Sequence, residues 1–93
     1  MSNLQARFAQ AQTDVNALAH RPDNDTLLKL YALYKQATQG DASGERPGSF
    51  DFIRRAKFDA WESLKGTPTS DSMRQYIDLV ESLKHQTGCF EHP

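Results

Sequence analysis

Long apolar runs are missing from this 93-residue chain; none approaches the roughly 20 residues that a membrane-spanning helix needs. The stretch Met1-Ser2-Asn3-Leu4-Gln5 lacks the basic and apolar blocks of a signal peptide. Cysteine is nearly absent: a lone Cys89 excludes an intramolecular disulfide and suits a reducing compartment. There is no charge excess either. A formal net charge of −1 argues against a general polyanion binder, so nucleic acid is not an expected partner. No glycine-rich phosphate loop, nucleophile elbow or paired-carboxylate motif occurs, and nothing in the chain points to an enzyme. What survives these exclusions is one small domain, expected to be soluble, cytoplasmic and monomeric. A chain this size buries roughly two-thirds of its unfolded surface, so it can fold unaided without much surplus.

Four segments carry apolar residues at helical spacing, and none shows sustained strand alternation. Leu4, Phe8, Ala11, Val15 and Leu18 predict a first helix from about Leu4 to Leu18, stopping before Arg21-Pro22 because a residue preceding proline avoids helical dihedrals. Asp23-Asn24-Asp25 can cap a second helix with the stripe Leu27, Leu30, Tyr31, Tyr34 and Ala37, ending at Gly40. The third carries Ile53, Ala56, Lys57, Ala60, Trp61 and Leu64 and ends at Lys65-Gly66. Thr67 then caps a fourth, with Pro68 at its first position and the stripe Met73, Tyr76, Ile77, Val80 and Leu83. The link from about Gly40 to Ser49 is long, so the third helix need not run antiparallel to the second. Residues 1–87 form the expected domain, and Gly88 to Pro93 read as a frayed tail.

Two lysines stand out against this pattern. Lys57 lies four residues after Ile53 and four before Trp61, so all three share one helical face. Leu28, Tyr31 and Lys35 repeat the arrangement of aliphatic, aromatic and basic groups along a ridge. Such a lysine either snorkels, its stem covering apolar neighbours while the ammonium stays wet, or it meets an anion. Tyr31, Tyr34 and Tyr76 each pair an apolar ring with a polar tip, which suits a wet–dry boundary. Together these residues describe a pocket that is apolar below and anion-seeking above. Arg54 and Arg55 beside Lys57 could thicken a positive patch there but read as a solvated face, and Arg46 in the long link reads as structural or solvent-facing.

A metal reading of His85, Cys89 and His92 starts from ligand-like spacing. Gly88 interrupts the helix there and no fourth ligand is evident. Cys89 as a nucleophile lacks a base and an orienting group.

The strings Tyr31-Ala32-Leu33-Tyr34-Lys35-Gln36-Ala37-Thr38, Gly40-Asp41, Glu45-Arg46-Pro47-Gly48, Lys57-Phe58-Asp59-Ala60-Trp61 and Leu64-Lys65-Gly66, with Tyr76-Ile77, resemble the acyl-CoA-binding protein family. The resemblance runs from Phe8 to Leu83. It implies an all-α four-helix bundle, up-down-down-up, with helices two and three parallel. It further implies a long-chain fatty acyl-CoA ester as ligand, with no separate cofactor. By position, Tyr31 and Lys35 match adenine- and phosphate-contacting residues, Lys57 a lysine at the 3′-phosphate, and Tyr76 a residue flanking the nucleotide. Phe8, Leu28 and Tyr34 match positions lining the acyl tunnel. Asn16 stands where many members carry a lysine near the head group, which reduces that contact to a hydrogen bond. Gln12 occupies a usually small position and is expected to trim the tunnel. Phe58 replaces a common tryptophan.

The resulting expectation is a carrier that sequesters medium- to long-chain acyl-CoA esters without chemistry. The rival is a protein-interaction module whose exposed cleft grips a partner helix. They differ over the lysines, since a peptide groove does not need Lys35 and Lys57 at one mouth.

Overall fold

The computed structural model describes the backbone of residues 3–89 and side chains through residue 85. Four helices make up the fold: α1 Leu4–Asn16, α2 Asn24–Gln39, α3 Phe52–Glu62 and α4 Thr69–Cys89. No strand occurs among the described residues.

Local chemistry accounts for most helix ends. The Asp23 carboxylate accepts a hydrogen bond from the Thr26 N–H at 2.8 Å, starting α2 with a side-chain cap. Gly40, at φ 82°, ends it in a conformation that favours glycine. α1 stops two residues short of the expected Leu18, because the Ala17 N–H turns back to the Asp14 carbonyl at 3.0 Å. α3 likewise gives way after Glu62 to tight turns, with Leu64 bonding to Trp61 and Lys65 to Glu62, before Gly66 reverses at φ 89°. Pro68 sits one place earlier than expected: its carbonyl accepts the Ser72 N–H, so the first helical residue is Thr69. α4 continues through Gly88 to Cys89 rather than breaking at that glycine. The remainder of the expected tail lies outside the described residues.

α1 packs on α4, α4 on α2, and α2 on α3. The core is made of Phe8, Ala11, Leu30, Leu33, Ala37, Tyr76, Ile77 and Val80. α2 is therefore covered on two sides, which explains a departure from its expected stripe. Ala32, Leu33 and Gln36 are buried, whereas Tyr31 is half-buried and Tyr34 reaches the surface. α3 lies at the edge and buries only Trp61. Ile53, placed by its spacing on a core stripe, is 70% exposed.

Helix direction can be read from side-chain partners. Leu28 and Tyr31 of α2 share a hollow with Phe52, Ile53 and Lys57 of α3, while at the far ends the Trp61 indole N–H donates to the Gly40 carbonyl at 2.8 Å. Start meets start and end meets end, so α2 and α3 run parallel. Phe8 against Tyr76 and Asp14 against Lys84 make α1 and α4 parallel by the same reasoning. Gln36, late in α2, reaches Thr67 just before α4, so those two helices are antiparallel. The bundle is up-down-down-up.

A polar knot holds the far ends of α2 and α3. The buried Gln36 amide nitrogen donates to Asp41 Oδ1 and to the Thr67 carbonyl, each at 2.9 Å. Asp41 Oδ1 also accepts the Gly66 N–H at 2.9 Å. The long link is clamped separately by Arg46, which makes a two-pronged pair with Asp59 at 2.8 and 2.7 Å. Of the two roles open to Arg46, structural or solvent-facing, this pair gives it the structural one.

Hydrogen bonds from Gly66 and then Gln36 hold the Asp41 carboxyl below its ordinary value of 3.8. A carboxylate depressed in the folded state stabilises the fold above its unfolded pKa and loses that contribution as pH falls through the folded one. Asp59, held down mainly by Arg46, behaves alike. The contribution of Asp41 to thermal stability should thus be fully present and independent of pH near neutrality, and fall off below pH 3.8. Asp41→Asn should make that acid-side fall shallower in a melting-temperature series against pH.

Candidate ligand-binding site

Tyr31 is the hub of the site. A cavity of about 670 Å³ lies where the end of α1 and the following link face α2 and α4, lined by Asn16, His20, Arg21, Tyr31, Tyr34 and Tyr76 among others. On the other side of Tyr31, between α2 and α3, runs a trough of about 430 Å³ walled by Leu27, Leu28, Phe52, Ile53 and Ala56, with Arg21 and Lys57 as its cations. A smaller hollow of about 280 Å³ continues from Tyr31 and Lys57 towards Trp61 and the long link.

Parallel packing of α2 and α3 sets Tyr31 and Lys35, one turn apart, opposite Lys57 and Trp61, also one turn apart. The two lysines cross over. The Lys57 ammonium lies 5.3 Å from the centre of the Tyr31 ring, and the Lys35 ammonium 4.9 Å from that of Trp61. Both distances fall within cation–π range. Neither lysine forms a salt bridge among the described residues. Two cations thus rest on aromatic faces between α2 and α3, and one of them, Lys57, also lines the apolar trough.

The sequence-predicted residues do not all enter one cavity. Asn16, Tyr31, Tyr34 and Tyr76 line the larger one, and Leu28, Tyr31 and Lys57 the trough. Lys35 reaches the site only through its ammonium over Trp61. Phe8 is buried beneath, stacked on Tyr34 at 6.1 Å and edge-on to Tyr76 at 5.1 Å, where it sets the positions of both phenols. Burial, and then Tyr34, push the Tyr76 phenol above its ordinary pKa, so it stays a neutral hydrogen-bonding group at pH 7. The Asn16 amide donates to the Gln12 carbonyl at 3.2 Å.

Gln12 is not among the residues lining either large cavity; its amide nitrogen folds back to the Phe8 carbonyl at 3.4 Å. Gln12→Ala should therefore leave the ranking of octanoyl to eicosanoyl esters unchanged in a titration series. Phe58 makes an edge contact with Trp61 at 6.3 Å, the simple packing role that a substituted tryptophan position allows.

Two lining groups escaped the sequence reading. Arg21 faces both cavities, but beside Pro22 it reads only as a helix stop. Phe52 forms a trough wall, yet it is one position off the α3 stripe and so carries no periodic signal. Of the proposed metal ligands, His85 lies 3.8 Å from Glu81, and His92 falls outside the described residues. Among the described residues no His/Cys/Asp/Glu group is arranged to hold a metal ion, and no helix is long and apolar enough to cross a membrane.

An apolar trough with a cationic, aromatic mouth on an all-helical scaffold defines a binding domain for amphipathic anions. The profile of the family described as acyl CoA binding protein matches residues 5–80, and the chain belongs to that family. It is 49% identical over 76 residues to the acyl-CoA-binding protein of Saccharomyces cerevisiae, covering 82% of this chain and 87% of the yeast protein. It is 46% identical over 81 residues to acyl-CoA-binding protein homolog 1 of Caenorhabditis elegans, covering 87% and 94% respectively. Enoyl-CoA delta isomerase 2 of Rattus norvegicus is 45% identical over 83 residues, 89% of this chain but only 21% of that protein. The match to the isomerase is therefore to a fifth of its length. Among solved structures, the crystal structure of Oryza sativa acyl-CoA-binding protein 2 superposes with a TM-score of 0.88 at 35% identity, covering 92% of this chain and 96% of the rice one.

Proposed function

We propose that this protein binds medium- to long-chain fatty acyl-CoA esters, one per molecule, and carries them as a protected intracellular pool. It acts as a monomer in the cytoplasm and performs no chemistry on its cargo. The observation that supports this most is the crossed pair of lysines on Tyr31 and Trp61 between α2 and α3, with Lys57 and Tyr31 also lining the α2–α3 trough. An amphipathic anion with a phosphorylated head and an alkyl tail matches both halves at once. A partner helix has no need of two cations there.

In this reading Lys35 and Lys57 leave their rings to share the 3′-phosphate, Tyr31 packs on the adenine, and Tyr76 stands alongside. The trough walled by Leu28, Phe52, Ile53 and Ala56 takes the tail. Native mass spectrometry of the protein purified from cells should show one bound acyl-CoA mass; a persistently ligand-free or peptide-bound protein would refute the carrier reading.

Lys35→Ala or Lys57→Ala should each weaken binding of a long-chain ester by about 1.5–3 kcal/mol, the worth of a charge-assisted hydrogen bond. Losses should be much smaller against dephospho-CoA esters, which lack that phosphate. Folding stability should change little, since each ammonium leaves only a weak cation–π contact of about 0.5–1 kcal/mol. Calorimetry on both ester types checks this, and equal losses would assign the lysine to packing instead.

A further inference from the structure

Three large apolar side chains at the start of α3 are mostly open to solvent. Phe50, in the turn before the helix, is 97% exposed; Phe52 and Ile53, its first two residues, are 76% and 70% exposed. Phe52 and Ile53 form the outer lip of the α2–α3 trough, while Phe50 lines neither that trough nor the larger cavity. A ligand lying in the trough therefore offers no account of Phe50.

The charges around this edge are also biased. Arg21 and Lys57 line the trough beside Phe52 and Ile53, and Arg54 and Arg55 follow on α3. The opposing acids are Asp51, paired with Arg54 at 3.2 Å, Glu45, which shares the adjoining hollow with Arg54 and Lys57, and Asp59, which faces Arg55 and is paired with Arg46. With Arg46 included, five cations against three carboxylates leave the edge positive in a chain whose formal net charge is −1.

We propose that Phe50, Phe52 and Ile53, with the surrounding cations, form a docking edge for an anionic lipid bilayer. Apolar side chains projecting from a cationic rim are the combination that sits at a headgroup boundary: rings enter the acyl region while arginine and lysine meet the phosphates. The three side chains expose roughly 400–500 Å², about half of what each partner contributes to a stable protein interface. That area suits shallow insertion better than burial against a second copy. The edge also opens into the trough. On the carrier reading, an alkyl tail could pass between bilayer and protein without crossing open water. The docking itself does not depend on that reading.

Co-sedimentation with vesicles of phosphatidylcholine, alone or mixed with phosphatidylserine, tests the edge. The full chain should bind the mixed vesicles more tightly, and added salt should weaken the binding. Phe50→Ser should lower the affinity about tenfold, and Phe50→Trp should restore it. Calorimetry of Phe50→Ser with a long-chain acyl-CoA in vesicle-free buffer should match the unsubstituted chain. Equal binding to both vesicle types, no binding to either, or vesicle binding indifferent to Phe50→Ser would overturn the proposal. So would a Phe50-dependent dimer in solution, which would assign the edge to a second copy. Vesicle binding by a chain that fails to bind acyl-CoA in solution would uphold the docking edge and refute the carrier reading instead.

Discussion

Free coenzyme A should bind this protein about a thousandfold more weakly than its palmitoyl ester. The difference comes from the trough between α2 and α3, whose walls include Leu27, Leu28, Phe52, Ile53 and Ala56. Full burial of about 14 methylenes would be worth roughly 11 kcal/mol. The trough is open along one side, with Phe52 and Ile53 mostly exposed, so a little over a third of that value, roughly 4 kcal/mol, is expected. About 4 kcal/mol already corresponds to a thousandfold change in affinity. Free palmitate should also bind weakly, because it leaves Lys35 and Lys57 without the phosphate that draws them off their rings. Calorimetry with the ester, free coenzyme A and palmitate separates the two contributions. Equal affinity for ester and free acid would remove the head group from the account, and equal affinity for ester and free coenzyme A would remove the trough.

The largest single-residue loss of stability is expected at Trp61. Its ring is the one buried side chain of α3, and its indole N–H ties that helix to the Gly40 carbonyl at the end of α2. Trp61→Ala should cost about 3–5 kcal/mol, since the edge helix loses its anchor and a cavity opens beside α2. Trp61→Phe keeps a ring under Lys35 but forfeits the hydrogen bond, for a loss nearer 1 kcal/mol plus some packing. Urea unfolding followed by circular dichroism measures both without relying on tryptophan fluorescence. Weakened ligand binding in Trp61→Ala that persists under conditions where it is fully folded would show that the ring also positions Lys35. Unchanged stability in Trp61→Ala would mean that the α3 edge is held chiefly by Arg46 and Asp59.

Much of this was legible before any coordinates. Helix-period stripes located all four helices, because amphipathic packing needs apolar residues every three or four positions. Asp23 and Gly40 marked the ends of α2 because their cap chemistry is local. The misplaced Lys35 and Lys57 marked positions that either snorkel or meet an anion, and the structure sets each ammonium over an aromatic ring of the neighbouring helix. The stripes run past the ends of α1 and α3, to Leu18 and Lys65, because short-range turns carry no periodic signature. Ile53 was assigned to the core because periodicity reports a face, not what covers it.

Composition, spacing and motif order were thus sufficient for the all-α class, the family and the chemical character of the ligand, all of which reside in residue identity and short-range separation. The division of the site into two cavities about Tyr31, the crossing of each lysine onto the opposite helix's ring, the support of Tyr34 and Tyr76 by buried Phe8, and the uncovered edge at Phe50 were decided only by tertiary structure. Each of these depends on how α2, α3 and α4 lie against one another. A one-dimensional pattern does not specify helix placement, because the same stripe can be buried, half-covered or left open by its neighbours.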